Sequence, residues 1–90
     1  MQTEKPIRLS AHAAAQAATR GATPEEVVDA VRGGDWTFGR CGRYECSRNL
    51  PGRGRWQGVT CALRRVQPSF TVQATHIVVV SVFVTHEPWR

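Results

Sequence analysis

The sequence lacks any long apolar run. The longest, Ile77 to Val84, is interrupted by Ser81 and falls far short of the roughly 18 residues that a membrane-spanning helix requires. The alanine-rich segment 11–20 contains no Leu, Ile, Val or Phe, which makes it a poor secretory signal. With 90 residues and 41% hydrophobic content, we expect one small cytoplasmic domain, residues 1–90, with no membrane partner.

Cysteine is scarce, and the sequence lacks the common cysteine motifs of metal sites. Cys41, Cys46 and Cys61 leave one thiol unpaired under any disulfide scheme, so we expect reduced thiols. Neither C-x-x-C nor H-x-x-x-H occurs, and we expect neither a metal site nor a cofactor. The motifs G-x-S-x-G and G-x-x-x-x-G-K are also absent, which argues against two common hydrolase and nucleotide-binding classes.

Lysine is nearly absent, with one Lys against eleven Arg, and the positive charge is unevenly distributed. Residues 1–35 carry a net charge of −1, residues 36–65 carry +6 with Glu45 as their one acid, and residues 66–90 balance. A concentrated basic region favours a polyanionic partner such as RNA, because each neutralised phosphate releases counterions. The alternative is an arginine-rich surface that reflects genomic base composition.

The first third of the chain carries strong helix signals. Ser10 is a suitable N-cap and Gly21 a suitable stop for a helix over residues 11–20. The segment TPEE, residues 23–26, predicts a capping box with proline at the first helical position. Two glycines at 33 and 34 should end this second helix.

After residue 35 the pattern changes to β-structure. Residues 36–48, 57–66 and 70–85 are rich in aromatic and β-branched residues, and residues 49–58 are interpreted as a long, flexible hairpin connection. Pro68 should divide the second strand from the third. In the third, strict alternation places Val78, Val80, Val82 and Val84 on one face and Ile77, Val79 and Phe83 on the other. The sequence therefore predicts an α+β fold, with two N-terminal helices packed on a three- to four-stranded, mostly antiparallel sheet.

One polar stripe on the first helix suggests a site. His12, Gln16, Thr19 and Arg20 share a helix face, which is either one wall of a cleft or a solvated surface. His12 and His86 could form the acid–base pair of a metal-independent ribonuclease, with Arg43 and Arg64 stabilising the phosphate and Thr85 or His86 completing the site.

A second set of residues is predicted to bind RNA. Aromatic rings interleaved with arginine suit single-stranded RNA, although a core position is the stronger interpretation of Trp36. In the pairs Arg43–Tyr44 and Arg64–Arg65, strand alternation turns the two members to opposite faces. The predicted RNA-binding residues are Arg20, Tyr44, Arg53, Arg55, Trp56 and Arg65.

The stretch HAAAQAATRGATPEEVVDAV resembles a family of small bacterial domains of unknown function, family 4258. The resemblance lies in His-Ala followed by Arg-Gly-x-Thr-x-Glu-Glu-Val, and in a closing hydrophobic strand that ends in Val-Thr, here VFVTH. The order of two helices followed by a sheet also resembles the RelE-like and BrnT-like toxin ribonucleases. This resemblance implies RNA cleavage without metal and an antitoxin protein as partner, and it points to His12, Arg20, Thr85 and His86. The alternatives are a non-catalytic basic module that binds protein or nucleic acid, and a homodimer.

Overall fold

The computed structural model describes residues 5–56 and 58–88, which contain two helices and a mixed sheet of six strands. None of the helices in these residues is long and apolar enough to cross a membrane. The helices are α1 (Ala11–Arg20) and α2 (Pro24–Gly33), and the strands are β1 (Ile7–Leu9), β2 (Thr37–Phe38), β3 (Tyr44–Glu45), β4 (Arg48–Trp56), β5 (Val59–Val72) and β6 (Ile77–Pro88).

Local capping chemistry sets the helix bounds, and the predicted caps are confirmed. The Ser10 hydroxyl accepts the Ala13 N–H at 3.0 Å, and Gly21 ends α1 in the left-handed conformation with φ 85°. At α2, Thr23 Oγ1 accepts the Glu26 N–H at 3.1 Å, while Glu26 Oε1 accepts the Thr23 N–H at 3.0 Å. Side chains therefore satisfy free backbone N–H groups where the helices begin, and the backbone N–H groups of the glycine caps satisfy carbonyl groups where they end.

The sheet has the order β1-β6-β5-β3-β2, and β4 pairs with β5 beside β3. The β1–β6 pair is parallel and the other described pairs are antiparallel. The α+β class is therefore correct, but the predicted three to four strands are too few. One reason is that residues 36–48 fold back on themselves through a turn at Arg40–Gly42, which separates β2 from β3.

Pro68 does not divide two strands, contrary to the prediction, because its position in the sheet needs no N–H donor. Pro68 lies opposite Val82, whose backbone N–H and C=O bond to side chains of α1 and so point away from β5. Pro68 O accepts the Cys46 N–H at 3.3 Å, so its nitrogen faces the short link between β3 and β4. β5 consequently continues to Val72, and the turn to β6 comes at residues 73–76.

The predicted flexible connection at 49–58 is also wrong in its extent, since most of it forms β4. The register shifts between Pro51 and Gly54, which marks a bulge in this strand. A Cβ at Gly52 would collide with Cys61 O, so the close approach of the two strands requires glycine there.

A second irregularity, in β6, changes which side chains face the helices. Ser81 pairs with Ser69 but Val79 pairs with Phe70, so Val80 is the extra residue. Strict alternation therefore fails, and the predicted faces are corrected. Ile77, Val79 and Val82 are all buried against the helices, and Val84 packs on the same core.

Both helices cover the same side of the sheet, which we call the helix face. The core there includes Val27 and Val31 of α2, Val66 and Phe70 of β5, and the buried residues of β6 just described. No described helix packs on the other side, which we call the open face. The open face is defined by Arg65, Gln67 and Ser69 of β5, which lie opposite Thr85, Phe83 and Ser81 of β6.

Candidate functional site

Two residues of the polar stripe of α1 cover a strand edge. β1 pairs only with residues 77–79 of β6, so the remainder of that edge of β6 lacks a strand partner in the described chain. Gln16 Oε1 accepts the Val82 N–H at 2.8 Å, and Arg20 Nη1 donates to Val82 O at 2.6 Å. Gln16 and Arg20 therefore satisfy an open strand edge. Arg20 is held by this bond, and its role in RNA binding stays a prediction.

His12 and His86 are placed near opposite ends of α1. His12 is exposed in the first turn, while His86 Nε2 lies 2.7 Å from Arg20 O at the last turn. Eight residues of helix separate His12 from Arg20, which corresponds to about 12 Å along the axis. The structure does not bring the predicted acid–base pair together.

His86 takes part in a hydrogen-bonded group on the helix face. Because a carbonyl oxygen can only accept, Nε2 carries the proton in the bond to Arg20 O. Nδ1 then faces the thiol of Cys61, whose Sγ lies 3.5 Å away. Thr85 is exposed on the open face, so the neighbouring residues Thr85 and His86 lie on opposite sides of the sheet.

Arg64 is a structural residue rather than a phosphate ligand. It is 3% exposed, and its Nη2 lies 2.7 Å from Glu26 Oε2. Its Nε donates to Pro51 O at 3.0 Å, and Nη1 donates to Gly21 O and Glu26 Oε1, each at 2.9 Å. The hydrogen bond to Glu26 raises the pKa of Arg64 further above its ordinary value. A buried guanidinium with these partners is not available to an RNA phosphate, which corrects the predicted role.

Two of the predicted arginines are exposed, one in the sheet and one beside it. Arg65 lies on the open face, where its Nε donates to Asn49 Oδ1 at 3.1 Å, and Arg43 lies in the link before β3. The side chains of Arg53, Arg55 and Trp56 lie outside the described part of the structure, which gives only their backbone, in β4.

Tyr44 belongs to an aromatic cluster at the β2–β3 corner. Its ring centroid lies 5.6 Å from that of Trp36, 5.2 Å from that of Phe38 and 6.0 Å from that of Phe70. Trp36 packs on the core, and its Nε1 donates to Val31 O at 2.8 Å. The half-buried Tyr44 ring is engaged in packing and is not displayed freely for a base to stack on.

The open face contains a groove that the sequence interpretation missed. Its volume is about 490 Å³, and an adjoining cavity measures about 500 Å³. Glu45, Ser69 and Ser81 line both the groove and the adjoining cavity. The lining of the groove also includes Asp35, Thr37, Ser47, Gln67 and Phe83. The lining of the adjoining cavity also includes Gly39, Cys41 and Arg43. Two signals pointed towards the groove: Ser81 interrupts an apolar run, and Glu45 is the one acid among the clustered arginines.

Comparison with protein-family models, with curated proteins and with solved structures finds no significant match. Within residues 5–56 and 58–88, no group of three or more His, Cys, Asp and Glu side chains is placed to hold a metal ion. The chemistry of the open face is therefore the basis for assigning a function.

Proposed function

We propose that the open face of the sheet binds single-stranded RNA. The observation that carries this proposal is the exposed row of Asn49, Arg65 and Thr85 across three neighbouring strands, with the exposed ring of Phe83 beside it. A sheet surface with an arginine for phosphate and an aromatic ring for stacking suits unpaired RNA, whose bases can be splayed out.

The charge distribution favours the same surface. The segment 36–65, with its net charge of +6, forms β2 to β4 and half of β5, whereas the segment 1–35 that includes both helices has a net charge of −1. The charge of Arg64 is matched internally by Glu26, so the excess comes from the other arginines of this segment. Of the described arginines in this segment, Arg65 lies on the open face and Arg43 lines the adjoining cavity, whereas Arg48 donates to Asp29 O of α2 on the helix face. The charge therefore supports the open face through Arg65 and Arg43.

Binding, rather than cleavage, is the function that the geometry favours. General acid–base cleavage needs an acid, a base and a charge stabiliser around one phosphate. His12 and His86 lie near opposite ends of α1, and Arg64 is buried in its ion pair. The ribonuclease activity implied by the resemblance to RelE-like toxins is thus a separate hypothesis, which incubation with RNA in EDTA tests.

The binding proposal is tested by the salt dependence of affinity for a short single-stranded RNA. Fluorescence anisotropy would compare the wild type with Arg65→Ala and with Arg32→Ala, an equal charge change on an exposed residue of α2. We expect Arg65→Ala to weaken binding and to reduce the slope of log affinity against log salt by about 1, and Arg32→Ala to leave the slope unchanged. Equal effects of the two variants would contradict the placement on the open face.

The same RNA, incubated with the protein in EDTA and analysed by gel electrophoresis, should remain intact. Fragmentation that is lost in His12→Ala or His86→Ala would instead assign a metal-independent ribonuclease activity to the chain.

A further inference from the structure

The two adjoining cavities of the open face differ in the charged groups that line them. Asp35 and Glu45 line the groove, while Arg43 and Glu45 line the adjoining cavity. Glu45 is exposed and makes no ion pair with Arg43 in the described structure, so both side chains are available to a ligand. Resting on the proposed RNA binding, we infer that the groove selects a guanine base, with Glu45 accepting hydrogen bonds from the base and Phe83 stacking on it.

The inference depends on what a carboxylate can accept. An ionised carboxylate has two oxygens that accept and no donor. Guanine presents two donors side by side, N1–H and the N2 amino group, on the edge that unpaired RNA exposes. Adenine and cytosine present one donor beside an acceptor, and uracil presents one donor between two acceptors. Guanine is therefore the base that both carboxylate oxygens can engage without repulsion.

Phe83 supplies the stacking surface at the rim of the groove. Its side chain is 61% exposed, whereas Ile77, Val79 and Val82 of the same strand are buried in the core. The Arg20 guanidinium lies 5.0 Å from the centroid of the Phe83 ring and is itself bonded to Val82 O. Arg20 therefore holds the ring in place by a cation–π contact, and a base can stack on the exposed part of the ring.

Arg43 offsets the negative charge of the groove. Two carboxylates would repel the RNA backbone, but Arg43 lines the cavity that shares Glu45, Ser69 and Ser81 with the groove. When a base binds Glu45, the positive charge of Arg43 therefore attracts the phosphate of the same nucleotide. The hydroxyls of Ser69 and Ser81, paired across β5 and β6, supply donors for the remaining acceptors of the base.

Base preference is measured with oligouridines that carry a single central guanine, inosine or adenine. Inosine lacks only the N2 amino group, so it isolates the second hydrogen bond to the carboxylate. We expect the wild type to bind the guanine oligonucleotide about tenfold more tightly than either of the others. Glu45→Gln should remove this preference, and Phe83→Ala should weaken binding of all three.

Glu87→Gln is the matched control, since Glu87 is an exposed acid of β6 that does not line the groove, and it should keep the preference. Equal affinity of the wild type for the three oligonucleotides overturns the guanine site and leaves RNA binding intact. Failure to bind any of them at low salt removes the proposed function as well. The comparison of guanine with inosine on the wild type needs no variant, so a folding defect in Glu45→Gln cannot obscure the result.

Discussion

Arg64 and Arg65 are consecutive in the chain, and β5 turns them to opposite faces. Arg64 joins the sheet to α2 through Glu26, which at the same time caps that helix with Thr23. Arg65 remains exposed on the open face, held by Asn49. Two chemically identical side chains thus have different roles, one in stability and one in the proposed binding, because strand alternation separates them.

This difference predicts unequal effects on stability. Arg64→Met should lower the free energy of unfolding by about 3 kcal/mol, because it removes the cation of the ion pair that balances the charge of the largely buried Glu26 carboxylate. Arg65→Met removes an exposed charge and should change it by less than about 0.5 kcal/mol. Urea denaturation of the two variants measures both values, and similar losses would show that Arg64 does not join the sheet to α2.

A second prediction at this scale concerns the buried thiol of Cys46. Burial raises its pKa from 9.0 to about 11, and its Sγ donates to Ala30 O at 3.3 Å. Between pH 9 and 11 the unfolded chain therefore binds fewer protons than the folded one, so the free energy of unfolding should fall as the pH rises.

The measurement is urea denaturation at several pH values across this window. Cys46→Ala should show a shallower fall than the wild type, and Cys41→Ala, which removes an exposed thiol, should keep the wild-type slope. A wild-type slope in the Cys46→Ala variant would be inconsistent with a buried, protonated thiol.

Among the elements, α1 contains no apolar side chain larger than alanine, and the edge of β6 explains this. Its buried residues are the small Ala13 and Ala17, which let the helix lie close to the strand. Gln16 and Arg20 then reach the backbone of Val82, beyond the end of β1. The helix thereby protects a strand edge that would otherwise be open to pairing with another chain.

Exchange of the Val82 amide tests this role of α1. In Gln16→Ala the Val82 N–H loses its acceptor, so we expect faster hydrogen exchange at Val82 and a loss of about 1 kcal/mol in stability. Thr19→Ala, an exposed residue of the same stripe, should leave both unchanged within about 0.5 kcal/mol. Unaltered exchange in Gln16→Ala would show that the edge does not depend on this side chain.

The helices and strands also show which features of the fold the sequence patterns could predict. The ends of α1 and α2 were predictable because Ser10, Thr23 and Gly21 act within their own helix turns. The course of β5 and β6 was not, because Pro68 is tolerated only opposite an outward-facing Val82, and the bulge at Val80 depends on the partner strand. Local chemistry fixes element ends, whereas pairing between distant segments fixes strand register and faces.

The same limit applies to the candidate site. Strand alternation correctly turned one of Arg64 and Arg65 towards the helices, but the Glu26 partner lies 38 residues away in sequence. The groove joins segments from the β3–β4 region to β6, so its lining could not be assembled from any one stretch of sequence. In the sequence, Glu45 was notable only as an acid among arginines, and Ser81 only as a polar residue within an apolar run.

At the scale of the whole molecule, the two faces of the sheet differ in the side chains that they present. The helix face holds the apolar core together with the Arg64–Glu26 pair and the bonds of α1 to β6. The open face carries polar and charged side chains, the exposed Phe83 and the groove. Changes on the open face are therefore expected to alter the proposed RNA binding with little effect on folding.

The most direct measurement is methyl NMR during titration with single-stranded RNA, because neighbouring methyl groups of β6 report on opposite faces. Thr85 is exposed on the open face, while Val84 packs against the core on the helix face. We expect the Thr85 methyl signal to shift with added RNA and the Val84 signals to move far less. Shifts confined to Val84 and to the exposed alanines of α1, with Thr85 unchanged, would contradict binding at the open face.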